Sequence, residues 1–164
     1  MKKRILTFGV LLILVTIFVV PGVVSAQDGG TWVLGNVVEG YTFTAPSPIS
    51  LGTMTPSGTP YKGSSSGGSL MGNNPSGYTV TGIDEKGGDT GYMTTSGGGD
   101  VLANRHEISD QDASYVPADT AKTFVDTSGP TDAVFSLYVS QVVAYTDTPD
   151  IYEIEIAFTV TPKA

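Results

Sequence analysis

The chain has 164 residues, a net charge of −8, 21 glycines, 10 prolines and no cysteine. Beyond residue 26 it keeps five basic against sixteen acidic residues, a net −11 over 138 residues. This repels nucleic acid and anionic lipid and excludes both as partners, and the absence of cysteine rules out disulfide staples, so stability must come from a packed core.

Lys2, Lys3 and Arg4 precede an apolar run from Ile5 to Val20, a Pro21-Gly22 break and the small-residue step Val24-Ser25-Ala26. These are the charged, apolar and cleavage regions of a secretory signal. They predict a signal peptide over 1–26, a domain over 27–164 and a secreted, extracellular or cell-surface location. The membrane is a partner only through the signal segment, if it is retained as an anchor; at about 16 residues the run is short for a span of ~17–25. With no cysteine after it, lipid attachment through a thiol is excluded.

Thr31-Trp32-Val33-Leu34, Gly40–Thr44 and Ile49–Leu51 read as short strands broken by Gly35 and by Pro46 and Pro48. Trp32, the one tryptophan, and Leu34 are candidate ligand or partner contacts; the plain alternative is a place in the core, where aromatics dominate β-proteins. Met54 to Gly77 reads as a long loop because of its serines, glycines and prolines.

Tyr78–Ile83 and Gly91–Thr95 are expected to pair around the acidic turn Asp84-Glu85-Lys86-Gly87-Gly88-Asp89. Asp84 and Asp89 there are a candidate Ca²⁺ site, since hard cations take oxygen ligands on flexible backbone; the spacing is not that of an EF-hand, and a solvated hairpin turn is the favoured reading. No other cofactor is expected. Residues 104–121 are polar and weakly patterned, and they include the single histidine, His106. With no cysteine or second histidine it builds no ordinary zinc site, and no serine has the G-x-S-x-G surroundings of a hydrolase nucleophile. Thr123–Val125 reads as one more short strand.

Ala133–Tyr145 is apolar on both parities, which predicts a strand well inside a sheet. Tyr152, Ile154, Ile156, Phe158 and Val160 alternate with Glu153, Glu155, Ala157, Thr159 and Thr161, the period-2 pattern of a strand between core and solvent. Thr146-Asp147-Thr148-Pro149-Asp150 between them predicts a hairpin. Glu153 and Glu155, exposed on one strand, read as solubilising charges and not as a glycosidase pair.

Short strands with turn signals and no helical periodicity predict an all-β fold, a single β-sandwich, Ig-like or jelly-roll-like, with Greek-key connections. The order Leu51-Gly52-Thr53-Met54, then Val80–Gly87 with Gly91-Tyr92-Met93-Thr94, then Asp150-Ile151-Tyr152 leading to Phe158–Pro162 resembles the WxL family of cell-surface proteins over about 49–162. Phe158-Thr159-Val160 stands where that family has its closing W-x-L. The resemblance implies a non-catalytic surface protein attached non-covalently to the envelope, with cell-wall polymer or neighbouring surface proteins as partners. The chain itself supports a second expectation: an extracellular filament or matrix subunit that self-associates when Gln27–Ala45 adds as a strand to its neighbour.

Overall fold

The computed structural model describes residues 36–84, 90–97 and 99–164. The signal segment and the Trp32 strand lie outside the described residues. Two units are distinguished: the first runs to Val37, and of it only Asn36 and Val37 are described, without regular structure; the second is Val38–Ala164. Among the described residues there is no helix, and the fold is all-β.

The described residues form, in chain order, ten strands: β1 Tyr41–Thr44, β2 Tyr61–Gly72, β3 Tyr78–Asp84, β4 Thr94–Thr95, β5 Glu107–Ser109, β6 Val116–Pro117, β7 Lys122–Asp126, β8 Thr131–Gln141, β9 Tyr152–Glu153 and β10 Ile156–Pro162. They form a five-stranded sheet in the order β1-β2-β8-β5-β6, a three-stranded sheet β10-β3-β7 and a small β4-β9 pair. Every pairing is antiparallel.

The five- and three-stranded sheets share their core. Leu70 and Phe135 of the first meet Tyr78, Val80 and Val125 of the second. Phe43, Phe124, Phe135 and Phe158, from both sheets, stand with ring centroids 5.3–6.1 Å apart, the spacing at which offset and edge contacts add to simple burial. A second cluster, Ile108, Ala118, Leu137 and Val139, continues the core towards the end where β10 begins.

Several expectations are corrected. Met54–Gly77 is not a loop: β2 occupies Tyr61–Gly72 and lies between β1 and β8. Gly63, Gly68 and Gly72 face inward and leave room for larger neighbours. A Cβ built on Gly63 would stand 2.5 Å from Ile49 Cγ2, and one on Gly72 would stand 2.5 Å from the Tyr78 ring. The low β-propensity of Gly and Ser, which suggests a loop, is overridden by the bulk packed onto them.

The C-terminal hairpin does not form. At its C-terminal end, where a hairpin would start, β8 has both edges taken, by β2 and by β5 over Tyr138–Ser140, and β10 pairs instead with β3 in the other sheet from Ile156↔Asp84 to Pro162↔Tyr78. The pairing of Tyr78–Ile83 with Gly91–Thr95 fails for the same reason: β3 is flanked by β10 and β7, and Thr94–Thr95 pairs with Tyr152–Glu153. Ile49–Leu51 is not a strand, although both apolar side chains reach the core.

The expected central strand is β8, which ends at Gln141 and leaves Val142–Tyr145 outside it, and the single closing strand is divided between β9 and β10 in different sheets, although its alternation stands. Tyr152, Ile154, Ile156, Phe158 and Val160 are half-buried, while Glu153, Glu155, Thr159 and Thr161 are exposed.

Candidate functional site

β1 ends at Thr44, and Ala45-Pro46-Ser47-Pro48 follows. Proline has no N–H to give a ladder and fixes its own φ, so the chain leaves the sheet here and passes as an irregular strip to Met54. The strip is held by its apolar residues: Ile49 and Leu51 turn in towards Gly63 and the β8 floor.

A second strip faces it. The Asp147 carboxylate accepts the Ala144 N–H at 2.7 Å and the Ala103 N–H at 2.8 Å, which pins the 144–150 turn to the segment beside Leu102. Tyr152 donates its hydroxyl to the Thr148 carbonyl at 2.8 Å. Burial and then the negative charges of Asp100, Asp147 and Asp150 push the Tyr152 phenol above its ordinary value, so this rim carries negative potential.

Between the strips lies a groove of about 870 Å³, floored by Leu137, Val139 and Val143 and flanked by Ile154 and by the start of β10 through Ile156 and Phe158. The volume is within the ~300–1,000 Å³ of ligand clefts, which are mostly apolar with few polar groups. β10 is the terminal strand of its sheet, so among the described residues one of its edges has no strand partner, and its Ile156 and Phe158 line the groove. An unpaired edge beside an apolar trough offers main-chain N–H and C=O groups together with sockets for side chains.

The groove's principal polar floor group is His106, which is 2% exposed. Its Nδ1 lies 3.1 Å from Gln141 Oε1. The Gln141 amide nitrogen donates to the carbonyls of Asn104 and Val142 at 3.0 and 2.9 Å. Gln141 Oε1 is therefore the acceptor, Nδ1 carries the proton, and Nε2 holds the lone pair of the neutral ring. Burial pulls the imidazole pKa down, with Gln141, Asp84 and Glu107 opposing it. An amide thus orients the ring where a hydrolase triad uses a carboxylate.

Of the site residues expected from sequence, Trp32, Leu34 and Asp89 lie outside the described residues. Asp84 is buried, and its Oδ2 accepts the Gly91 N–H at 2.6 Å. Its backbone N–H is bound by the Ala118 carbonyl at 2.8 Å. Among the described residues no cluster of three His, Asp or Glu side chains is arranged to hold a metal ion. Glu153 and Glu155 are exposed on the groove's rim.

Sequence reasoning misses the groove because its walls come from segments about a hundred residues apart. The available signals are the Pro46/Pro48 exit followed by alternating Ile49 and Leu51, and the half-buried alternation from Ile154 to Phe158. No protein-family model, curated protein or solved structure matches this chain.

Proposed function

We propose that this is an exported, non-catalytic surface protein whose working part is the groove, and that the groove takes up an extended apolar polypeptide segment by strand addition to β10. The observation that carries the reading is that β10, the terminal strand of its sheet among the described residues, also lines an apolar trough through Ile156 and Phe158. Strand addition supplies affinity through main-chain hydrogen bonds and selectivity through alternate side chains. The non-catalytic reading is supported by His106, whose hydrogen-bonded partner is an amide. Export rests on the basic, apolar and small-residue regions of residues 1–26.

The WxL-like reading, attachment to an envelope polymer, shares the same place: Phe158, at the position of that family's tryptophan, lines the groove. Its aliphatic walls and open main-chain edge suit a polypeptide better than a hydroxyl-rich glycan.

Hydrogen exchange on dilute full-length protein tests this. Adding a capped, alternating Thr-Val octapeptide is expected to protect the β10 amides from Ile156 to Val160, and Ile156→Lys is expected to abolish that protection. Unchanged exchange at every peptide concentration, with the protein still pelleting on purified cell wall, would overturn the reading in favour of the wall polymer.

A further inference from the structure

We infer that the segment that enters the groove is residues 29–38 of a second copy of this chain, so that copies join head to tail. The inference rests on the groove reading above and names its occupant.

The first argument is chemical. Gly29 to Val38 reads Gly-Gly-Thr-Trp-Val-Leu-Gly-Asn-Val-Val, uncharged between Asp28 and Glu39. Five of its last seven residues are apolar, and Val37 and Val38 are 85% and 73% exposed. The groove's rim carries Asp147, Asp150, Glu153 and Glu155, within a strongly acidic chain. An acidic partner would be repelled at that rim; an uncharged, apolar stretch is not, and it has exposed apolar surface to bury. Ten extended residues reach about 33 Å, more than β10 needs with its seven residues.

The second argument is direction. The Val38 carbonyl accepts from Asn73 Nδ2 at 2.9 Å, the Gly40 N–H donates to Asn73 Oδ1 at 2.7 Å, and the Gly40 carbonyl accepts from the Tyr78 hydroxyl at 3.0 Å. Three bonds thus fix this stretch of chain at the Asn73 turn. β1 runs from there, Tyr41 opposite Gly72, towards the groove. The groove lies at the other end of the sheets, where β10 begins at Ile156 opposite Asp84; Pro162 opposite Tyr78 marks the Asn73 end.

A donor segment anchored at one end and an acceptor groove at the other make a heterologous contact, which propagates into an open polymer or closes into a ring. This also narrows the expected donor. Tyr41–Thr44 is already paired with β2 in its own chain, so the part of Gln27–Ala45 left to donate ends before Tyr41.

Trp32 is the only tryptophan, so its emission reports directly on the donor. Light scattering and tryptophan emission are measured on the full chain as secreted, on Trp32→Asp and on Ile154→Asp. The wild type is expected to form species larger than a monomer, with a blue-shifted Trp32. Trp32→Asp alone is expected to be monomeric with an unchanged melting temperature, and Ile154→Asp alone to be monomeric with water-exposed emission. Mixing the two variants is expected to restore a complex, one supplying the groove and the other the donor, with the emission moving back to the blue. Ile151→Asp, at an exposed groove position, replaces Ile154→Asp should the latter melt early.

Large species that survive Trp32→Asp, a water-exposed Trp32 in the assembled wild type, or a wild type that stays monomeric at every concentration would each overturn the inference. If the Thr-Val octapeptide still protects β10 in those cases, only the occupant is wrong. If it does not, the groove reading falls with it.

Discussion

The ring of Phe135 fills the space that a side chain on Gly68 would need. The two residues face each other across β2 and β8, and a Cβ built on the glycine would stand 2.6 Å from the Phe135 Cζ. Phe135 in turn contacts Phe43, Phe124 and Phe158, so the ring cannot retreat without disturbing the centre of the core. Gly68→Ala is therefore expected to destabilise the protein by about 1–3 kcal/mol through overpacking, read as a lower denaturation midpoint. Gly58→Ala is the control: no atom lies within 4 Å of the added group, and the change should stay within about 0.5 kcal/mol.

The turn that starts β3 depends on Gly77 for a different reason. Its φ is +90°, and its N–H donates to the Asn74 carbonyl at 3.1 Å. A Cβ would meet the Thr127 carbonyl oxygen at 2.2 Å, and that atom is backbone. Gly77→Ala combines a disfavoured φ with a clash that cannot be relieved by a rotamer, and a loss of about 3 kcal/mol is expected. A thermal melt within a degree or two of wild type would contradict this.

Tyr78 is fully buried, accepts the Asn74 N–H and donates to the Gly40 carbonyl, both at 3.0 Å. Tyr78→Phe keeps the ring and removes both bonds, leaving a backbone donor and acceptor without this partner. The expected penalty is about 1–3 kcal/mol, together with faster amide exchange around Gly40. Equal stability of the two proteins would show that water replaces the hydroxyl.

His106 makes stability depend on pH between neutral and mildly acidic conditions. Burial lowers its folded pKa below the ordinary 6.5, so below that value the unfolded chain binds the proton more readily than the folded one. Its contribution is complete above about pH 6.5 and is lost as pH falls through 6.5 towards the folded value. His106→Gln should flatten this limb of a melting-temperature profile taken from pH 7 to pH 5. The acidic limb should remain in that variant: hydrogen bonds from Lys62 and Lys163 lower Asp112 and Asp126 below 3.8, so their contributions fade only below about pH 4. A wild-type profile that is level from pH 7 to pH 5 would remove the role assigned to the histidine.

Local pattern was legible wherever burial follows the chain. The alternation from Tyr152 to Thr161 describes the structure, because a strand's period is written residue by residue; the apolar residues on both parities of β8 do not mark two buried faces, since Val134 is 81% exposed. Pairing was not legible. The turn residues between Gln141 and Tyr152 suggest a hairpin, yet the Asp147 carboxylate uses them to tie the chain to Ala103. The fate of β10 was decided by which edges β2 and β5 had already filled.

The sequence by itself determined the all-β class, the acidic surface, the lack of covalent staples and which side chains point inward along the closing segment. These follow from composition and from periods of two, which need no partner. Only the tertiary structure decided that a serine- and glycine-rich stretch is a central strand, that His106 lies at the floor of a groove and that β10 is, among the described residues, the terminal strand of its sheet. Each depends on residues far apart in the chain meeting: Phe135 on Gly68, Gln141 on His106, and Ile156 opposite Asp84.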